Sequence, residues 1–170
     1  VQVPSVLKSY KNSIIATSYS KSISIPGERI GFLAINPGIA DCDLLTGGII
    51  LCTRILGFVN APAFMQRVIG KMQGVLVDIN EYTRKRDLLC DGLSSAGYQF
   101  AKPEGAFYLF PRSPIVDDVE FVKALQKKNI LTVPGSGFGR SGHFRIAYCV
   151  EDSTIINSMD GFREIFNTFG

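Results

Sequence analysis

Residues 18–31 read SYSKSISIPGERIG, with Lys21 preceded by the hydroxyls of Ser18 and Ser20 and followed, past the Pro26-Gly27 turn, by Arg29 and Gly31. The residues before it, 14–19 (IIATSY), are apolar and β-branched and read as a short buried strand; residues 30–35 (IGFLAI) read the same way. A lysine immediately past a buried strand is costly to desolvate and tends to give up its proton, which makes its amine a nucleophile toward an aldehyde. Arginine offers an oxyanion two parallel hydrogen bonds, and serine adds donors without bulk. The stretch therefore combines a reactive amine with an anion cradle.

Outward from this segment the chain changes character. Residues 41–57 carry Leu44, Leu45, Ile49, Cys52, Ile55 and Leu56 at helical spacing, interrupted by Gly47-Gly48. Asn60-Ala61-Pro62 separates that helix from a second over residues 63–77. A third over 78–96 is charged on one side, has Leu88, Leu89 and Leu93 on the other, stops at Gly97, and has the length of a connector between two lobes. Next come strands at 98–101 and 106–110, a helix at 116–128 with Asp117 and Asp118 at its positive end, and strands at 130–133 and 143–149. A final helix runs from Asp152-Ser153, both plausible N-caps, to about residue 167. The fold class is α/β: a remnant of a larger domain's sheet in residues 1–78, then a compact α/β lobe in residues 79–170.

The 170 residues are 46% hydrophobic and 19% charged, with 17 Gly and 8 Pro, which excludes disordered, collagenous and low-complexity classes. The longest charge-free apolar runs fall short of the roughly 18–20 residues a membrane span requires. A net charge of +3, scattered along the chain, does not make a nucleic-acid surface. Cys42, Cys52, Cys90 and Cys149 form no C-x-x-C pair and there is one histidine, so a zinc site has no support and no metal is expected. With no basic-then-apolar leader in view, the cytoplasm is the expected location. Val1 at the start, and no carboxylate before Glu28, suggest a piece of a longer protein.

Gly137-Phe138-Gly139-Arg140-Ser141-Gly142 satisfies the dinucleotide pattern G-x-G-x-x-G, but the residues after it, HFRIAYC, alternate like a strand and do not open a helix. These glycines are expected to allow a tight loop with positive φ. His143 has no nucleophile or carboxylate pattern beside it and is expected to be structural. An amine with a phosphate clamp, in contrast, is what a pyridoxal 5'-phosphate site needs. For a random lysine and arginine a solvated loop would be the better reading. Here S-x-S-K followed by P-G-x-R-x-G strongly resembles the cofactor-lysine signature of class I/II aminotransferases, the fold-type-I pyridoxal phosphate enzymes.

The resemblance implies that Lys21 forms the Schiff base with the cofactor and shuttles protons, and that Ser18 and Arg29, with Ser20 as a weaker candidate, hold its phosphate. It continues through Gly57-Phe58-Val59-Asn60-Ala61-Pro62 and Gln66, through Gly105-Ala106-Phe107-Tyr108-Leu109-Phe110-Pro111, and through Val133-Pro134-Gly135-Ser136-Gly137-Phe138-Gly139. The last leads to Gly142 and Arg145-Ile146, making Arg145 the candidate clamp for a substrate α-carboxylate. The implied partners are an amino acid and a 2-oxo acid, and the implied assembly is a homodimer. The family's aspartate on the pyridine nitrogen, its tyrosine and asparagine partners and its ring-stacking aromatic lie upstream of the lysine. Only twenty residues stand there, none acidic, so the stretch by itself is expected to be inactive. An effector-binding domain of a transcription regulator and a related pyridoxal phosphate lyase or synthase share the same lysine signature and stay open as alternatives.

Overall fold

Strand β1 (Ile14–Ser18) pairs antiparallel with strand β2 (Gly31–Ile35), Ile14 opposite Ile35 and Ser18 opposite Gly31, in a computed structural model that describes residues 4–170. A single helical turn, α1 (Val6–Ser9), precedes them. The amide of buried Asn36 ties it to the end of β2: Nδ2 donates to the Leu7 carbonyl at 2.8 Å and Oδ1 accepts from the Gly38 backbone at 3.0 Å. Between the strands lie one helical turn, α2 (Tyr19–Ser22), and a 3-10 turn at Pro26–Glu28. Helices α3 (Cys42–Ile55) and α4 (Ala63–Lys71) complete this first of two compact units, which ends at Val77.

The strands expected to be buried are largely exposed, and no residue of α3 is buried. Two strands form a ribbon whose outer edges have no ladder partner, so the β-branched side chains of β1 face water instead of a second layer. Helix α4 stops six residues short of the expected end. Gly74 takes φ +86° and the Val77 N–H turns back to donate to the Ser22 carbonyl at 2.9 Å, which diverts the backbone from a helical path.

The second unit, Asp78–Gly170, holds the aromatic and aliphatic core. Helix α5 (Ile79–Ser95) starts at Asp78, whose carboxylate accepts from the Asn80 N–H at 2.9 Å, and ends before Gly97 in the left-handed conformation. Strand β3 (Tyr108–Leu109), helix α6 (Asp118–Gln126), strand β4 (Val133–Pro134), strand β5 (Phe144–Ala147) and helix α7 (Asp152–Phe169) follow. The sheet is antiparallel in the order β3-β5-β4, with Tyr108 opposite Ala147 and Val133 opposite Arg145. This mixed α/β arrangement is the fold class expected from the sequence.

Tyr98 organises the core. Its ring lies 4.8–6.2 Å from those of Phe121, Phe144, Phe162 and Phe166, and its hydroxyl donates to the Phe162 carbonyl at 3.0 Å. Burial pushes this phenol well above its ordinary pKa. Residues 98–101, expected as a strand, are therefore held by side-chain packing without a ladder. The remaining strands are shorter than their apolar runs, because Ala106 at φ 61° breaks the extended path before β3 and a 3-10 turn at Gly135–Phe138 ends β4. The N-cap of α7 is Glu151, with no side-chain cap, while Asp152 pairs with Arg84 of α5.

Two measurements check this account. Leu93, with none of its surface exposed, should cost about 2–5 kcal/mol when changed to Ala, read by urea unfolding, whereas Leu44→Ala at 78% exposure should cost under about 0.5 kcal/mol. The Asp87 carboxyl, held at about 2 by the Arg86 guanidinium and then by Lys102, each 2.8 Å away, ties α5 to the segment before β3. Its folded pKa lies below its unfolded value, so its contribution is complete above about pH 4 and fades as pH falls toward 2. The melting-temperature gap between the parent and Asp87→Asn should accordingly shrink across that interval.

Candidate functional site

The surroundings of Lys21 in the first unit are set by backbone register. Pairing Ser18 with Gly31, extended by a 3.1 Å bond from the Tyr19 N–H to the Ile30 carbonyl, sets the chain ends that carry Ser18, Ser20 and Lys21 beside the one that carries Arg29. This approach needs glycine. A Cβ at Gly31 would stand 3.0 Å from the Ser18 Cα and closer still to the Thr17 carbonyl oxygen. Arg29 itself takes the left-handed conformation, φ 48° and ψ 47°, which costs a non-glycine residue about 1–2 kcal/mol. Its Nη1 donates to the Pro26 carbonyl at 2.9 Å, closing the turn.

Lys21 sits on α2 and is exposed, which corrects the expectation of a lysine desolvated at a buried strand's end. The turn is braced nonetheless: the Tyr19 ring packs 5.8 Å from that of Phe32, Gln73 Nε2 donates to the Tyr19 hydroxyl at 3.3 Å, and the Ser22 carbonyl accepts from Val77. Ser18 and Arg29 are exposed and Ser20 half-buried. By their chemistry, two hydroxyls, one guanidinium and one amine suit a phosphorylated aldehyde, and Gly31 provides the close backbone approach of the two segments that carry them.

A separate group of candidate residues lies in the second unit. Half-buried Arg145 extends from β5, with its Cζ 4.5 Å from the Tyr108 ring centre and 4.3 Å from that of Phe138. Among the described residues no carboxylate pairs with it, so the surface ion pair that would make it ordinary is missing. Aromatic faces hold a guanidinium in place while leaving its N–H edge able to receive an anion.

Two hydrogen bonds locate those rings. The buried Tyr148 hydroxyl donates to the Ala106 carbonyl at 2.8 Å and so fixes the left-handed turn that launches Tyr108. Asp118 Oδ2 accepts from the Ser136 N–H at 2.6 Å, holding the turn that carries Phe138. Gly135 in that turn is packed on backbone, an added Cβ lying 2.7 Å from the His143 carbonyl oxygen. Gly139 and Gly142 take positive φ, the loop geometry expected of the rejected dinucleotide pattern. His143 stacks 5.6 Å from Phe110, and its Nδ1 lies 3.1 Å from the Ser141 carbonyl.

Sequence reasoning met Tyr108 and Phe138 only as members of motifs and Asp118 only as a helix-start acid, and it did not single out Tyr148. An aromatic in a strand or loop reads as core, and only the tertiary placement of Arg145 turns two of them into its cradle.

With this geometry in hand, comparison with known proteins is direct. The model of the family "Aminotransferase class I and II" matches residues 1–160. The chain is 32% identical over 162 residues to a probable aspartate aminotransferase of Methanocaldococcus jannaschii, covering 90% of this chain and 42% of that protein. It is 29% identical to an aromatic-amino-acid aminotransferase of Thermococcus litoralis, covering 92% and 41%. Among solved structures, an amino transferase from Eubacterium rectale superposes with TM-score 0.93 at 40% identity over 100% of this chain and 43% of that one. The chain belongs to the class I and II aminotransferase family. It spans about two fifths of the length of the curated relatives it matches.

Gly31→Ala should separate β1 from β2 at their Ser18 end. The amide of Tyr19, which donates across that gap, should then exchange with solvent at least about tenfold faster, while amides of the second unit keep their protection.

Proposed function

We propose that the protein carrying this chain is a pyridoxal 5'-phosphate-dependent aminotransferase that moves an amino group from an amino acid to a 2-oxo acid, working in the cytoplasm as a homodimer. Residues 1–78 belong to the large cofactor-binding domain and residues 79–170 form the small domain. The observation that supports the reading is the Ser18–Gly31 register, which brings the backbone segments bearing Lys21 and Arg29 to the same end of a ribbon in a chain of this family. The names printed for its relatives, aspartate and aromatic-amino-acid aminotransferases, point to an α-amino acid substrate.

Bound pyridoxal phosphate supplies an electron sink for the bonds at the substrate's Cα. The residues of this chain do the rest. Ser18, Ser20 and Arg29 would hold the cofactor's phosphate, Arg29 through its planar fork. Lys21 Nζ would hold its aldehyde and, once freed, would take the substrate's Cα proton and return it. Arg145 binds the α-carboxylate and orients the Cα–H bond, its guanidinium already confined by Tyr108 and Phe138. Release of a 2-oxo acid before the second substrate enters gives ping-pong kinetics.

The test is borohydride reduction of the full-length protein with pyridoxal phosphate, followed by peptide mapping. The label should fall on Lys21, and Lys21→Ala should remove both the label and turnover, the latter by roughly 10²–10⁴-fold or more. Label on another lysine would end the assignment. Residues 1–20 hold no carboxylate for the pyridine nitrogen, so the 170-residue chain expressed alone should show no turnover with an amino acid and 2-oxoglutarate.

A further inference from the structure

Asp118 is 3% exposed, and its carboxylate has a single protein partner of note: Oδ2 accepts from the Ser136 backbone N–H at 2.6 Å. The obvious task for an acid at the start of α6, capping the helix, is already done by Asp117, whose Oδ1 accepts from the Glu120 N–H at 2.9 Å. No lysine or arginine pairs with Asp118 among the described residues. A buried carboxylate is costly unless its oxygens find hydrogen-bond donors, so the one bond it makes here fixes the donor's position. What this one holds is the 3-10 turn Gly135–Phe138, whose last residue lays its ring against Arg145. The other bonds of the turn, Gly135 N–H to the His143 carbonyl at 2.8 Å, Arg140 N–H to the Gly135 carbonyl at 3.0 Å and Gly139 N–H to the Ser136 carbonyl at 3.1 Å, close it from within, and the Ser136 N–H is held by Asp118.

We infer that Asp118 is a positioning residue for recognition of the substrate's α-carboxylate: through Ser136 it sets the turn that presses Phe138 on Arg145, and so presents the guanidinium edge to the anion. The inference rests on the reading of Arg145 as the carboxylate clamp. Asp118 touches neither substrate nor cofactor in this scheme, and its effect is confined to how well a negative charge is told from a neutral group at that position.

The experiment compares kcat/KM of the full-length holoenzyme for L-phenylalanine and for its α-carboxamide, which keeps the shape but lacks the charge. The parent should prefer the acid, and Arg145→Lys should erase most of that preference. Asp118→Ser suits a helix start but is too short to reach Ser136, and should lower the acid-to-amide ratio about tenfold, chiefly through KM for the acid. Phe138→Ala, at a residue whose side chain is exposed, should do the same without risk to folding. Asp118→Asn keeps an acceptor oxygen and should stay within about threefold of the parent. Equal losses for acid and amide in Asp118→Ser, or no loss at all, would overturn the positioning role. A preference that survives Arg145→Lys would instead remove the clamp on which it stands. Were Asp118→Ser to fail to fold, Phe138→Ala and Asp118→Asn would still decide the matter, since an unchanged ratio in Phe138→Ala overturns the inference.

Discussion

The close approach of Gly31 to the Thr17-Ser18 backbone is the constraint on which the surroundings of Lys21 depend. The pairing partners are set by hydrogen bonds that any residues could make, but the separation of the two strands at this end is set by the missing Cβ. Because Ser18 and Gly31 face each other, the chain segments on either side, one bearing Lys21 and the other Arg29, emerge from the same end of the ribbon. The left-handed backbone of Arg29 then turns its guanidinium onto the Pro26 carbonyl and closes the connection. Local strain and close packing of this kind concentrate where function requires a fixed geometry.

The surroundings of Arg145 in the second unit are built the other way, from the core outward. Tyr98 and the four phenylalanines around it lock α5, α6, α7 and β5 together, and β5 carries Arg145 out of that core on its half-buried face. The guanidinium is thus mounted on β5, while its immediate neighbours come from β3 and a 3-10 turn, whose positions are held by polar bonds from Tyr148 to Ala106 and from Ser136 to Asp118. Burial raises the Tyr148 phenol and so keeps it a neutral donor to that carbonyl.

The helices were legible because their signals are local. α5 shows its acidic cap and its glycine stop, and α7 its length, in the residues themselves. Strands were less so. Residues 14–19 have the composition of a buried strand, yet burial depends on which layer lies over the ribbon, and composition does not contain that information. Residues 98–101 have strand composition too, but Tyr98 is more stable in the aromatic cluster than in a ladder. The lysine's exposure follows from the same omission, since desolvation is a property of surroundings and not of the residue.

The amino-acid sequence by itself determined the chemistry available: an amine, hydroxyls and a guanidinium around a Pro-Gly turn, and an arginine after a glycine-rich loop, in an order specific enough to resemble one family. Those are covalent facts about side chains and their spacing. Only the tertiary structure decided that Gly31 must lack a side chain, that Lys21 is exposed, and that Arg145 is held by Tyr108 and Phe138 with Asp118 behind them. Each of these depends on distances between residues far apart in the chain, and such distances exist only once strands have paired and a core has closed.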